Sequence, residues 1–243
     1  MRMATARKPQ AGTHRFEAEV ARRWDLVTRA QRLRSRSLPG AGPFEEDRFD
    51  AHCEHLVVRD LVSDEVVAAC RVLAPRDALR SGGYFSAADF DLALLIVLRE
   101  RMVEIDRPCV DPRYRGAPVL SHLLSGLARY LIENRFDYVL GTVEMDALDG
   151  GHVAASTYRE ACARALSPED YRVFPRHRLA HESLSATRPV NSSEAINGFL
   201  DRGAWVCGEP ALDAWHGRAV FPLLTPLARM HVRDARQFLA RAG

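Results

Sequence analysis

The segment Asp111–Gly116, DPRYRG, concentrates groups able to hold an anion. Arg113 and Arg115 supply two guanidinium charges, and Gly116 precedes a helix whose first backbone N–H groups lack an intrahelical acceptor, so the loop suits a phosphate. A second basic cluster, RAQRLRSRS from Arg29 to Ser37, could meet phosphate or an acidic partner, or form a solvated face. Histidines pair in HCEH at 52–55 and in HRLAH at 177–181. The latter lacks the glutamate that a zincin places after its first histidine, and no metal is expected. Cys109 reads as a buried thiol rather than a nucleophile. There is no GxSxG elbow and no complete P-loop.

These groups depend on the elements that carry them. RMVEIDRPCV at 101–110 reads as a strand running straight into the arginine loop, and the helix after it carries a stripe of Val119, Leu120, Leu123, Leu124, Leu127 and Leu131. FDYVLGTV at 136–143 is the next strand, so strand, helix and strand imply a right-handed crossover with nearly parallel strands. A further helix follows from about 152 to 166. Upstream, residues 15–21 form a first strand, and Trp24 to Leu38 form a helix facing a core through Trp24, Val27, Ala30, Leu33 and Leu38. SLPGAGP at 37–43 breaks it. EHLVVRDL at 54–61 and EVVAACRVL at 65–73, joined through Ser-Asp, read as a β-hairpin.

In GGYFSAADFDL at 82–92, Gly82 and Gly83 give turn freedom, Ser86 is a candidate helix cap, and Tyr84, Phe85 and Phe90 fill the core or line an apolar pocket. The C-terminal third holds a helix near 193–202, extended segments around WVCG and RAVFPLL, and an arginine-rich helix over about 229–241. Residues 1–12 read as a disordered tail, and 13–243 as one α/β domain.

The 243 residues are 47% hydrophobic and 27% charged, enough for a real core and unlike a disordered chain. The longest apolar run, Leu92 to Leu98, is far short of the roughly 20 residues of a membrane span. No secretory signal is evident, and cytoplasmic residence is the expectation. Five cysteines without a CxxC pair suggest neither a disulfide framework nor a zinc ribbon. Net charge is +2, with Lys8 the only lysine, and gives no argument for nucleic-acid binding.

VDPRYRGAPVLSHLL resembles the acyl-carrier loop and helix of the GNAT acyltransferase superfamily, with Arg113 and Gly116 matching its Arg/Gln-x-x-Gly-x-Gly/Ala pattern. FEEDRFDAHCEHLVV, CRVLAP, GGYFSAADFDL, MVEIDRPCVDPRYRG and FDYVLGTV follow the order seen in ornithine lipid N-acyltransferases, which themselves resemble acyl-homoserine lactone synthases. NGFLDRGAWVCGEPALD and AVFPLL resemble that family's C-terminal part. The resemblance implies a GNAT-like α/β fold, a mixed, twisted sheet with splayed central strands flanked by helices.

The implied reaction is transfer of a long, 3-hydroxyacyl chain from acyl carrier protein to the α-amine of an amino acid, ornithine first, giving lyso-ornithine lipid. Another acceptor, a lactone product or a catalytically silent acyl-binding module remain alternatives. No tightly bound cofactor is implied beyond the acyl-phosphopantetheine thioester donor, as acyl-ACP or acyl-CoA. By resemblance, Glu104 and Arg107 are the catalytic pair. Cys109, Val110, Arg113, Arg115, Gly116 and Ala117 meet the carrier's arm, and Arg34, Asp50, Arg71, Asp89 and Asp91 meet the acceptor. Glu104 would serve as general base or pair structurally with Arg107 or Arg71, and Asp50 and Arg71 would contact substrate or secure the hairpin. Glu104 and Arg107 lie three apart, so an ideal strand points them to opposite faces; sharing a site requires a bulge or strong twist between them. Arginines 113, 115, 129 and 135 would steer an acidic carrier. The helix bearing Arg229, Arg233, Arg236 and Arg241 would offer transient contact with the inner membrane face, or simply be solvated.

Overall fold

The structure, a computed structural model, describes residues 14–38, 46–115, 118–184 and 194–229. Gly116, Ala117, the expected tail and nearly all of the expected arginine-rich C-terminal helix lie outside the described residues. Along the chain run β1 (Phe16–Val20), α1 (Trp24–Ser37), β2 (Glu54–Asp60), β3 (Glu65–Leu73), α2 (Pro75–Arg80), β4 (Phe90–Asp91), β5 (Met102–Val110), α3 (Val119–Glu133), β6 (Tyr138–Asp146), α4 (His152–Ala165), β7 (Phe174–Pro175), α5 (Glu194–Leu200), β8 (Trp205–Val206), β9 (Ala211–Asp213) and β10 (Arg218–Pro226). The chain forms two compact units, residues 1–72 with 107–130 and residues 73–106 with 131–243.

In the first unit, β1, β2 and β3 form an antiparallel meander. The β-branched runs of β2 and β3 make the expected hairpin, and Asp64 adopts φ 56° at its turn. Leu26, Ala30 and Leu33 of α1 pack with Val57, Val66, Ala69 and Cys109. Most of the expected face of α1 meets the core: Ala30 and Leu33 are buried and Val27 and Leu38 pack against the same cluster, while Trp24 is 74% exposed. Counting apolar residues misses Gln31 and Arg34 on that face, Arg34 belonging to it through an ion pair with Asp50.

In the second unit, β5 and β6 pair in parallel, as the strand–helix–strand order implied, and β10 lies antiparallel to β6 along its whole length. β8 and β9 pair with β10, and β4 pairs with β7 in a small separate sheet. One core gathers Ala154, Tyr158 and Ala161 of α4 with Ile196, Val206 and Phe221; another gathers Phe90, Leu95, Leu98, Met102, Leu140 and Leu224. The longest apolar run of the sequence becomes a 3₁₀ helix, Ala93–Arg101, with Leu95 and Leu98 inward and Ile96 and Val97 exposed. Among the described residues no helix is long and apolar enough to cross a membrane.

The parallel ladder of β5 and β6 covers only Met102–Ile105 and Tyr138–Gly141. Two residues after its last rung, Arg107 takes φ 53°, a left-handed conformation immediately before Pro108. A non-glycine residue held there stores roughly 1–3 kcal/mol of strain, and proline disfavours helical backbone in the residue before it. The irregularity of β5 is thus concentrated at Arg107 itself.

Candidate active site

Glu104 sits in the paired half of β5, 1% exposed. Its Oε1 accepts the Ser86 N–H at 3.0 Å and its Oε2 accepts the Phe85 N–H. These donors open the 3₁₀ turn Phe85–Ala88, which Tyr84 precedes. Ser86 is therefore inside that turn rather than its cap: the carboxylate of Glu104 does the capping. Burial pushes the Glu104 carboxyl up to about 8, against the opposing effects of the Ser86 hydroxyl and the two N–H donors, and with help from the charge of Asp106. A carboxyl titrating there can take a proton from an amine near neutral pH.

Beside this turn, the second unit contains an apolar cavity of about 440 Å³ lined by Ala78, Leu79, Tyr84, Ala87, Leu92, Leu95, Ile96 and Met102, among others. Arg99 is the charged residue in its wall. Tyr84 lines it while donating its hydroxyl to the Met102 carbonyl at 2.9 Å, whereas Phe90 is fully buried core. Tyr84 thus lines an apolar cavity while packing against the core that holds Phe90. Asp91 caps the Ala93 N–H at 2.9 Å from an exposed position. Asp89 is partly buried, and burial together with Asp213 and Glu144 raises its carboxyl.

The first unit brings Arg34, Asp50 and Arg71 together from α1, the loop before β2, and β3. Arg34 Nη2 donates to Asp50 Oδ1 at 2.5 Å, and Arg71 Nη1 donates to Asp50 Oδ2 at 3.0 Å and to Asp47 Oδ1 at 2.7 Å. His55 completes the cluster. Its Nδ1 lies 3.3 Å from Arg34 Nη1 and its Nε2 3.3 Å from the Asp50 carbonyl oxygen. Arginine can only donate, so Nδ1 accepts and Nε2 carries the proton. Burial, together with the charges of Arg34 and Arg71, holds His55 below its ordinary value despite the opposing influence of Asp50.

At the end of β5, Cys109 is a buried thiol outside any disulfide, in the core of the first unit, and Val110 is half-buried. The loop beyond is organised by Asp111, which is 2% exposed. It accepts the Arg113 N–H at 2.9 Å, the Arg113 guanidinium at 3.1 and 2.9 Å, and Arg36 Nη2 at 2.9 Å. Arg113 also reaches Glu65 at 3.1 Å, so the carboxylates of this unit fix the orientation of its charge; Arg115 is exposed.

Asp47, His55 and Asp111 carry much of this geometry, yet none was singled out for the acceptor or carrier site. Asp47 has a signal in the sequence, its place three residues before Asp50, whereas His55 stands out there only as half of a histidine pair. Of the second histidine pair, His181 lies near Glu182 and Glu209, but Arg178 already engages both carboxylates.

A family model described as an acetyltransferase (GNAT) domain matches residues 31–125. The chain is 31% identical over 223 residues to an L-ornithine N(alpha)-acyltransferase of Rhodobacter capsulatus, covering 79% of this chain and 84% of that protein. A Brucella abortus protein of the same description is 25% identical over 214 residues, covering 82% and 76%. Among solved structures, the CoA-dependent acyl-homoserine lactone synthase BjaI with MTA superposes with TM-score 0.53 at 14% identity, covering 94% of this chain and 89% of BjaI. TofI in its apo form gives TM-score 0.52 at 13% identity, covering 91% and 96%. At those identities the likeness is one of fold, and it is the GNAT fold.

Proposed function

Since the chain belongs to the L-ornithine N(alpha)-acyltransferase family and is an acyltransferase, we propose that it transfers a long acyl chain, 3-hydroxylated, from acyl carrier protein to the α-amine of ornithine, forming the lyso-lipid of an ornithine lipid. The observation that carries the chemistry is Glu104: a buried carboxyl, oriented by two backbone N–H donors and titrating near 8. It takes the α-amine's proton as the nitrogen attacks the thioester carbonyl. A C–N bond forms, the C–S bond breaks, and the proton passes to the departing thiolate. Oriented N–H groups near the irregular Arg107 would stabilise the oxyanion.

The apolar cavity favours a long chain over an acetyl group, because its wall offers little to a small polar donor. The acceptor's head group lies against the Arg34–Asp50–Arg71 cluster, whose members are buried and paired with one another and act by shaping and charging that wall; Arg107 assists, and Asp89 and Asp91 keep a secondary place in acceptor binding. The donor's phosphopantetheine runs along Cys109, Val110, Arg113 and Arg115 toward Gly116 and Ala117. Exposed Arg113, Arg115 and Arg129 on the first unit and exposed Arg135 on the second attract the acidic carrier. Residues 13–243 act as one domain in the cytoplasm, and the amphiphilic product brings the enzyme transiently to the inner membrane face.

The test is incubation of the purified protein with 3-hydroxyacyl carrier protein, or with the matching acyl-CoA, and a pool of amino acids, with products identified by mass spectrometry. Acyl-ornithine made faster from the carrier, with a rate that falls as salt rises, is the expected result. Equal, salt-independent rates from acyl-CoA would overturn the carrier assignment, and another acyl-amino acid would overturn the acceptor. Binding of acyl carrier without turnover would overturn the enzyme's proposed reaction.

A further inference from the structure

The ion cluster of the first unit has one member that meets solvent. Arg34, Asp50, His55 and Arg71 are each 8% exposed or less, whereas the side chain of Asp47 is 38% exposed. Asp47 Oδ1 is occupied, accepting Arg71 Nη1 at 2.7 Å and the Phe49 N–H at 2.8 Å. Both of these hydrogen bonds go to Oδ1, and none is made to Oδ2 among the described residues. The half-exposed carboxylate is therefore anchored through one oxygen.

Its charge is also secured. Partial burial would raise this carboxyl, but the hydrogen bond and charge of Arg71, the Phe49 N–H and the charge of Arg107 together hold it below the ordinary carboxylate range. Arg71 cannot serve a carboxylate ligand without competing with Asp47 and Asp50, which it already contacts. The patch consequently offers an incoming molecule a carboxylate, with the guanidinium groups of Arg34 and Arg71 buried behind it. That surface complements a compact cation, and an alkylammonium, with three rotatable donors on a flexible stem, can reach it.

We propose that Asp47 is the subsite for the side-chain ammonium of the acceptor, selecting amino acids that bear a second amine and directing acylation to the α-nitrogen. The inference rests on reading the Arg34–Asp50–Arg71 cluster as the acceptor site. An ammonium paired with a carboxylate is held protonated, and a protonated amine has no lone pair with which to attack a thioester. The same contact thus supplies both affinity for the diamino acid and protection of its distal nitrogen.

The experiment compares ornithine with norvaline, which has the same carbon chain without the distal amine, in wild type and Asp47→Asn. Initial rates give kcat and KM, and mass spectrometry with fragmentation locates the acyl group. Wild type is expected to favour ornithine by tenfold or more in kcat/KM and to acylate only its α-nitrogen. In Asp47→Asn that preference should collapse at least tenfold, chiefly through the KM for ornithine, with Nδ-acyl product emerging; Asp47→Glu should restore part of the preference. A proportional fall for both acceptors, with regiochemistry intact, would assign Asp47 to holding Arg71 and overturn the proposal. So would a wild type indifferent between the two acceptors, a result that needs no variant to fold and leaves amino-acid acylation standing. A wild type that acylates no amino acid would overturn the acceptor-site reading itself.

Discussion

Replacing Glu104 by Gln keeps the side chain's size and one oxygen acceptor while removing the base. Loss of a positioned general base lowers turnover by roughly 10²–10⁴-fold. The sharper quantity is the wild-type to variant ratio of kcat across pH. With a carboxyl titrating at about 8, about a tenth of the enzyme is ionised at pH 7 and about nine tenths at pH 9, so that ratio should grow nearly tenfold over this range. The acceptor's amine also titrates near pH 8, but it does so for both enzymes and cancels. Stability supplies an independent reading. A carboxyl raised above its ordinary 4.5 keeps its proton in the folded state after the unfolded chain has released it, so its contribution is fully present below pH 4.5 and is lost as pH climbs to about 8. That loss is on the order of 4 kcal/mol in wild type and absent from the variant, whose fixed cost is one backbone N–H left without its acceptor, about 1–3 kcal/mol. Rapid-mix assays with saturating donor and urea unfolding at pH 5 and pH 9 measure the two effects. A kcat ratio below about ten that stays flat with pH would refute base catalysis and leave Glu104 as the anchor of the Phe85–Ala88 turn.

Other substitutions probe the remaining parts. Arg34→Ala leaves Asp50 without one of its two buried cations and should cost roughly 3–5 kcal/mol in urea unfolding; a loss under about 1 kcal/mol would show that the cluster contributes little to holding α1 in place. Ala87→Phe projects a ring into the wall of the cavity and should shift the preferred acyl donor toward shorter chains, read by competition among donors of graded length; an unchanged profile would place the chain elsewhere. Gly126→Ala, which would ordinarily strengthen a helix by about 1 kcal/mol, should instead destabilise by roughly 1–3 kcal/mol, because a Cβ there would lie 2.7 Å from the Cβ of Ala18. A raised midpoint of thermal unfolding for that variant would mean that α3 can move away from β1.

What the sequence revealed and what it hid follow from how far apart the interacting groups lie. The β2–β3 hairpin was legible because its signal is local: two β-branched runs and a short turn whose Asp64 accepts a left-handed backbone. The parallel pairing of β5 with β6 followed from the order of elements alone. The apolar face of α1 was legible at Ala30 and Leu33, but the burial of Arg34 on it was not, since its partner Asp50 lies sixteen positions away and no periodicity that treats arginine as a surface residue can find it. The site divides in the same manner. Glu104 and Arg107 could be named from a short pattern, but the left-handed backbone at Arg107 could not, because such a feature usually announces itself as glycine and here is carried by an arginine before a proline. Asp47 and His55, in FEEDRFDAHCEHLVV, have no role that the sequence shows, because neither gains a partner until β3 delivers Arg71 and α1 delivers Arg34. A charged side chain's chemistry is a property of its neighbours' charges and of the water it has lost, and those are fixed by contacts across the sheet rather than by spacing along the chain.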